Sequence, residues 1–242
     1  MTVLAIETAT AVCAASVVRD GAVLAESRVE SRHVHSEKLL PMMDEAFRSA
    51  GVAPAQIDGI AVSIGPGSFT GLRIGLSVAK GLAYAWEKPL IPVQTLEALA
   101  MHAVEQSLAV AGGFVLPMID ARRAEVYAAL YRRVGGNLEE IIPPRAAQLR
   151  DLEGILPGES PVVVMGDGAV KFLEYLELGK SPARSRFVFP PMEARQCSAS
   201  AVGLLGERAL AAGRTGVVAD LEPFYAKDFQ SLVGAGQPGA VS

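Results

Sequence analysis

The chain has 242 residues, half of them hydrophobic, and 22 basic against 26 acidic side chains give a formal net charge of −4. That is enough chain for one large domain or two small ones with real cores. It lacks the basic footprint of a protein that holds nucleic acid by itself, since the clustered arginines (Arg122, Arg123, Arg132, Arg133) read as solvated turns and strand ends. Cys13 and Cys197 are the only cysteines and form no Cys-x-x-Cys pair, so no disulfide framework is expected. Cys13 lies in an apolar run and reads as a small core residue. The first residues enter a strand at once, without the regions of a signal peptide, and no apolar stretch reaches transmembrane length. A soluble, cytoplasmic protein without a membrane partner is expected.

In chain order, residues 2–8, 12–18 and 22–29 read as strands, with Asp20-Gly21 as the hairpin turn between the last two. Residues 36–50 read as a helix stopped by Gly51. Residues 57–63 are a β-branched apolar strand, and 72–86 a helix. Residues 90–93 form a short strand, and Thr95 is placed to cap a helix running to about 107. The pattern then restarts. Strand 114–119 ends in Asp120, strand 125–132 follows, and Gly135-Gly136 turns into strand 138–142. Strand 162–165 leads through Gly166-Asp167-Gly168 into a helix at 169–176, and Ser198 or Ser200 starts a last helix to about 212. Both halves run strand, acidic residue, strand, glycine-containing turn, strand. Such a repeat implies two similar α/β lobes with mixed sheets, residues 1–107 and about 108–230. The helix at 198–212 is a candidate to pack back on the first lobe, and 231–242 reads as a frayed tail. Two stacked units of this kind suggest the actin-like (ASKHA) fold of ribonuclease-H-like lobes, which hosts kinases, ATPases and transferases and so does not fix function.

Between the strand at 57–63 and the helix at 72–86 stands Ser63-Ile-Gly-Pro-Gly-Ser-Phe-Thr-Gly71. Glycines at 65, 67 and 71 permit tight turns, and a loop at a helix N-terminus can gather N–H groups around an anion. The same glycines suit close packing or contact with a partner. The loop lacks the Gly-Lys-Ser/Thr ending of a Walker A loop and the spacing of a dinucleotide fingerprint. It also lacks the Gly-x-Ser-x-Gly of a nucleophile elbow.

The order and wording of several segments are similar to the TsaB (formerly YeaZ) family. They are Leu4-Ala-Ile-Glu-Thr-Ala-Thr10, His35-Ser-Glu-Lys-Leu-Leu-Pro41 and Ser63 through Ala83, followed by Asp120-Ala-Arg-Arg-Ala-Glu-Val-Tyr127 and Pro223-Phe-Tyr225. The resemblance implies an accessory role in forming threonylcarbamoyladenosine in tRNA. It implies as partner a TsaD-type transferase, which moves threonylcarbamoyl from its adenylate to an adenosine beside the anticodon. A small TsaE-type ATPase would join through the complex, and tRNA would be met only indirectly. TsaD-type proteins hold their metal with a His-x-x-x-His pair after the strand that matches 90–93. The aligned residues here are Thr95 and Leu99, so no metal and no transfer by this chain alone are expected.

The other candidates are weaker. His33 and His35 could share one side of an extended segment, with Glu37 as the only obvious third ligand, but His35 is placed to order the start of the next helix. Glu7, Thr8, Thr10, Gly65, Gly67, Asp120, Gly166 and Gly168 outline where an actin-like protein would hold a nucleotide. Arg122 and Arg123 stand where small residues would wrap a phosphate, so the cleft reads as degenerate, with no cofactor required. The alternative is an actin-fold ATPase or phosphotransferase using Glu7 and Asp120. A metallopeptidase is a further rival. Ser77-x-x-Lys80 has no β-lactamase partner motifs and reads as chance. In helix 72–86, Arg73, Ser77, Lys80, Tyr84 and Glu87 form one polar stripe and nearly everything else is apolar. The apolar excess here and on helix 36–50 is expected to meet the partner, or a second copy in a homodimer, through Leu39, Met42, Met43, Phe47, Leu72, Gly75, Leu76, Ala79 and Trp86.

Overall fold

The structure is a computed structural model that describes residues 1–31, 34–155 and 160–224. His33, Tyr225 and the tail at 231–242 lie outside the described residues. Strands β1 (Thr2–Glu7), β2 (Val12–Arg19), β3 (Ala22–Glu30), β4 (Gly59–Gly65) and β5 (Leu90–Gln94) form the first sheet, in the order β3-β2-β1-β4-β5. β1 is antiparallel to β2 (Leu4 opposite Val17) and parallel to β4 (Ala5 opposite Ala61), and β4 is parallel to β5. The second sheet repeats this plan. β6 (Phe114–Asp120) takes the place of β1, β7 (Glu125–Val134) and β8 (Asn137–Gln148) that of the antiparallel pair, and β9 (Val162–Met165) and β10 (Phe187–Val188) that of the parallel pair.

Side-chain alternation splits the core. Leu4 and Ile6 face helices α1 (His35–Ala50) and α2 (Phe69–Trp86), whereas Val3 and Ala5 face the other side. That second side is shared. Helices α3 (Thr95–Glu105) and α5 (Ala199–Ala211) lie in one apolar cluster with Val3 and Ala5 of the first sheet and Val115, Ile119 and Met165 of the second. Helix α4 (Gly168–Leu178) covers the far face of the second sheet, packing Phe172 in one cluster with Leu116 and Met118.

Helix α5 packs on the first sheet at close range because it presents glycine there. A Cβ on Gly203 would stand 2.5 Å from Val18, and one on Gly206 would overlap Ala61. Its N-terminus is held by Glu26 of β3, whose Oε1 accepts from Ala199 N (2.7 Å), Ser200 N (3.3 Å) and Ser198 Oγ (3.1 Å). A carboxylate at a helix N-terminus is favourable. Near the other end Glu207 accepts from Asp20 N and Gly21 N at the β2–β3 turn.

The short strand β10 is absent from the sequence reading, and three other elements depart from it. β8 runs on to Gln148 through Pro143-Pro144, because it is the outer strand of its sheet, where proline is tolerated. α2 begins at Phe69, where Ser68 caps it by accepting from Gly71 N at 3.2 Å. Thr95 does not cap α3: its hydroxyl instead accepts from Gly65 N at 3.0 Å, and the cap position falls on Gln94 without a side-chain bond.

Candidate functional site

The glycine turn after β4 packs against the end of β1. A Cβ at Gly67 would overlap the Ala9 carbonyl oxygen, one at Gly71 that of Thr8, and one at Gly75 the Thr8 hydroxyl. The backbone that these glycines admit is therefore the chain's own, not a partner's. Several N–H groups that could have faced an anion are already used. Gly65 donates to Thr95, Ser68 N to Ala9 O (2.6 Å), Gly71 N to Ser68 Oγ, and Leu72 N to Ser68 O (2.9 Å). Of the two readings left open by sequence, packing is the one this geometry serves.

Glu7 ends β1 fully buried. Its Oε1 accepts from Ala9 N at 2.5 Å, and its Oε2 has no hydrogen-bond partner among the described residues. Burial pushes the carboxyl from 4.5 up to about 7, against the lowering effect of the Ala9 N–H. Thr8 turns its hydroxyl the other way, toward α2, where that oxygen is also unpartnered. Thr10 Oγ1 accepts from Val12 N at 3.3 Å. These three residues thus do not converge on one ligand position.

The second lobe places Asp120 at the matching strand end, and there it is exposed. Its Oδ1 accepts from Arg122 N (2.6 Å) and Lys171 Nζ (2.5 Å), and its N–H donates to Asp167 Oδ1 at 2.9 Å. Arg122 and Arg123 turn the chain in left-handed conformations, with φ of 67° and 52°. Gly166 has φ of 89°, and a Cβ there would overlap the Met118 carbonyl oxygen. A Cβ on Gly168 would stand 3.1 Å from the same residue. Both glycines let the turn before α4 sit on β6, as Gly67 and Gly71 do on β1. The segment before α5 links the turn after β9 to the end of β3. Arg195 O accepts from Gly166 N (2.6 Å), and Gln196 Nε2 donates to Glu30 (2.6 Å). Cys197 is buried there, and burial holds its thiol well above the usual range; burial also lifts Cys13 to about 11. Neither thiol is set up as a nucleophile.

His35 is buried at the start of α1, with Nε2 3.0 Å from Thr10 O and 3.3 Å from Val12 O. It ties the helix to the β1–β2 connection. Thr95 and Leu99 are both fully buried. Among the described residues no three His, Cys, Asp or Glu side chains gather as a metal set, and no helix is long and apolar enough to cross a membrane.

The expected partner residues need correction. Leu39, Met42, Met43, Phe47, Leu72, Gly75, Leu76 and Ala79 are all buried within the chain's own first lobe. Trp86 is half-buried, with its ring edge-on to Phe47 at 6.1 Å. The apolar stripes of both helices cover their own sheet, as amphipathic helices do. What faces outward is the opposite side: Leu40 (54% exposed), Phe69 (41%) and Tyr84 (86%), with Arg73 stacked 3.9 Å above the Phe69 ring. Between the helices Ser36, Phe69, Thr70, Arg73, Ile74, Ser77 and Val78 line an open groove of about 520 Å³. Sequence periodicity could have found this face, because it contains the polar stripe.

A family model described as TsaD, tRNA N6-adenosine threonylcarbamoyltransferase, matches residues 24–218. The tRNA threonylcarbamoyladenosine biosynthesis protein TsaB of Escherichia coli is 34% identical over 94% of this chain and 95% of its own length. The protein of the same name from Bacillus subtilis is 34% identical over 69% of this chain and 71% of its own length. Among solved structures, YeaZ from Pseudomonas aeruginosa superposes with a TM-score of 0.77 at 26% identity, over 93% of this chain and 99% of that one. A ROK hexokinase from Thermus thermophilus, at 15% identity and a TM-score of 0.52 over 88% of this chain and 100% of that one, shares the actin-like fold alone. Within the wider family that the model describes, the chain belongs to the TsaB (YeaZ) family.

Proposed function

We propose that the protein acts in the formation of threonylcarbamoyladenosine in tRNA as a non-catalytic subunit that binds and supports a TsaD-type transferase. The observation that carries this reading is the state of the two strand ends. Glu7 is fully buried, Asp120 is ion-paired to Lys171, and the glycine turn gives the N–H groups of Gly65, Ser68 and Gly71 to Thr95, Ala9 and Ser68. These groups, which would handle a nucleotide in an actin-like enzyme, have packing or structural tasks here. Thr95, at one of the positions where TsaD-type proteins bind metal, accepts the Gly65 N–H with its hydroxyl oxygen. Partner recognition falls to the outward face of α1 and α2, around Leu40, the groove and Tyr84. The same face would join two copies when the chain is alone. TsaE-type ATPase and tRNA would be engaged through the complex.

The test is reconstitution with the host's TsaD-type protein. The chain alone should neither turn over ATP nor modify tRNA, and should restore modification when added to its partner. ATP turnover by the isolated chain, lost in Glu7→Gln or Asp120→Asn, would support the phosphotransferase alternative instead.

A further inference from the structure

After α5 the chain returns across the first lobe, and residues 216–224 touch the glycine turn and α2 from the side opposite β1. Gly216 N donates to Leu90 O at 2.8 Å and closes an antiparallel bridge on the outer strand β5. Val218 and Leu221 pack against the core beneath α2. Lys80 Nζ, from α2, donates to Ala219 O at 3.2 Å. Phe224 N donates to Ile64 O at 2.7 Å, the carbonyl just before Gly65.

An outer strand needs a cover, and the bridge at Leu90 supplies one. The contacts at Lys80 and Ile64 lie elsewhere and do something more. Gly65 makes the point independently. It has φ of 119°, and a Cβ there would stand 2.5 Å from the Phe224 carbonyl oxygen. The first glycine of the turn is therefore demanded by this segment as well as by its own backbone. The turn and the start of α2 are gripped from both sides, by Thr8 and Ala9 on one and by residues 216–224 on the other.

We propose that Gly216–Phe224 is a positioning strap: it holds the glycine turn and α2 in the pose that the outward face needs in order to dock. This rests on the docking role proposed above. Docked surfaces are packed as tightly as protein interiors, so a small displacement of α2 spoils them. The bonds at Ile64 and Lys80 are separate from the core contacts of Val218 and Leu221 and from the bridge at Leu90, so loosening those two bonds should leave the fold standing.

The test uses the full chain with Phe224→Pro, which removes the N–H given to Ile64, and Lys80→Ala, which removes the grip on Ala219. Three quantities are read: hydrogen exchange of the amides of residue 65 and residues 67–72, the dissociation constant for the TsaD-type partner, and the melting temperature. Phe224→Pro should speed exchange of those amides about tenfold and weaken association by about fivefold or more, with melting little changed. Lys80→Ala should do the same to a smaller degree, and it carries the comparison if Phe224→Pro unfolds the chain. Unchanged exchange overturns the strap. Faster exchange with unchanged association also overturns it, leaving a mere edge cover. Leu40→Asp serves as the control on the docking face. If Leu40→Asp weakens association and the strap variants do not, the strap alone has failed. If Leu40→Asp has no effect, the docking reading has failed, and exchange of those amides still decides whether the strap holds the turn.

Discussion

β1 and β6 hold the same place in their sheets, with an antiparallel pair on one side and a parallel pair on the other. At both strand ends a following turn lies so close that only glycine fits: Gly67 and Gly71 against Ala9 and Thr8, Gly166 against Met118. The terminal acids part company. Glu7 is buried and half-partnered, whereas Asp120 is exposed, bonded to Lys171 and to its own turn. The glycines recur because backbone-on-backbone packing recurs, whereas the acids differ in burial and partners. A glycine-rich strand–helix turn therefore does not by itself mark an anion site.

The largest effect should come from treating core as surface. Met43→Glu or Leu76→Asp places an unpaired charge in the first lobe's own core, at side chains only 3% and 5% exposed. Each should cost on the order of 4 kcal/mol or more and unfold the lobe, as circular dichroism would register. A folded variant of either kind would mean that these helices present their other face.

Next come two glycines that pack on the backbone at the end of β1 and on β6. Gly71→Ala and Gly166→Ala each drive a Cβ into a backbone carbonyl, so both should lose roughly 3 kcal/mol in urea unfolding. Gly75→Ala meets the Thr8 hydroxyl, which can rotate aside, and should lose less. If Gly166→Ala were tolerated while Gly71→Ala was not, the parallel between the lobes would break there.

The acids sharpen the contrast. The Glu7 carboxyl is raised in the folded state from 4.5 to about 7, so its contribution is fully present below pH 4.5 and is lost as pH rises through about 7. The wild type should lose on the order of 3 kcal/mol across that window beyond what Glu7→Gln loses. Equal slopes for the two would show that Glu7 is hydrated. The smallest effect belongs to Asp120→Asn. An exposed pair with Lys171 is worth less than about 1 kcal/mol, and its loss should barely move the urea midpoint.

Much of this fold is legible in the residues. The repeated order of strands, the acid at each first-strand end and the Asp20-Gly21 turn together specify two sheets of one plan. The glycine turn is equally visible, but its purpose is not. Nothing local says that Gly71 abuts Thr8, 63 residues earlier, or that Gly65 leaves room for Phe224. The outward face of α1 and α2 is hidden in the sequence for a related reason. Leu39, Met43, Leu72 and Leu76 form the stripe that buries against the chain's own sheet, and an excess of apolar residues does not say which flank is left over. Thr95 likewise looks like a helix cap until Gly65 comes within 3.0 Å of it. In each case the missing term is a contact between residues distant in sequence.

The most direct test of the docking claim is the double variant Leu40→Asp with Tyr84→Asp, mixed with the TsaD-type partner and followed by light scattering alongside circular dichroism. Both side chains face solvent, at 54% and 86% exposure, so the variant should keep the wild-type spectrum. It should lose at least about tenfold in affinity for the partner, and with it any self-association. A folded double variant that binds its partner as tightly as the wild type would contradict the account.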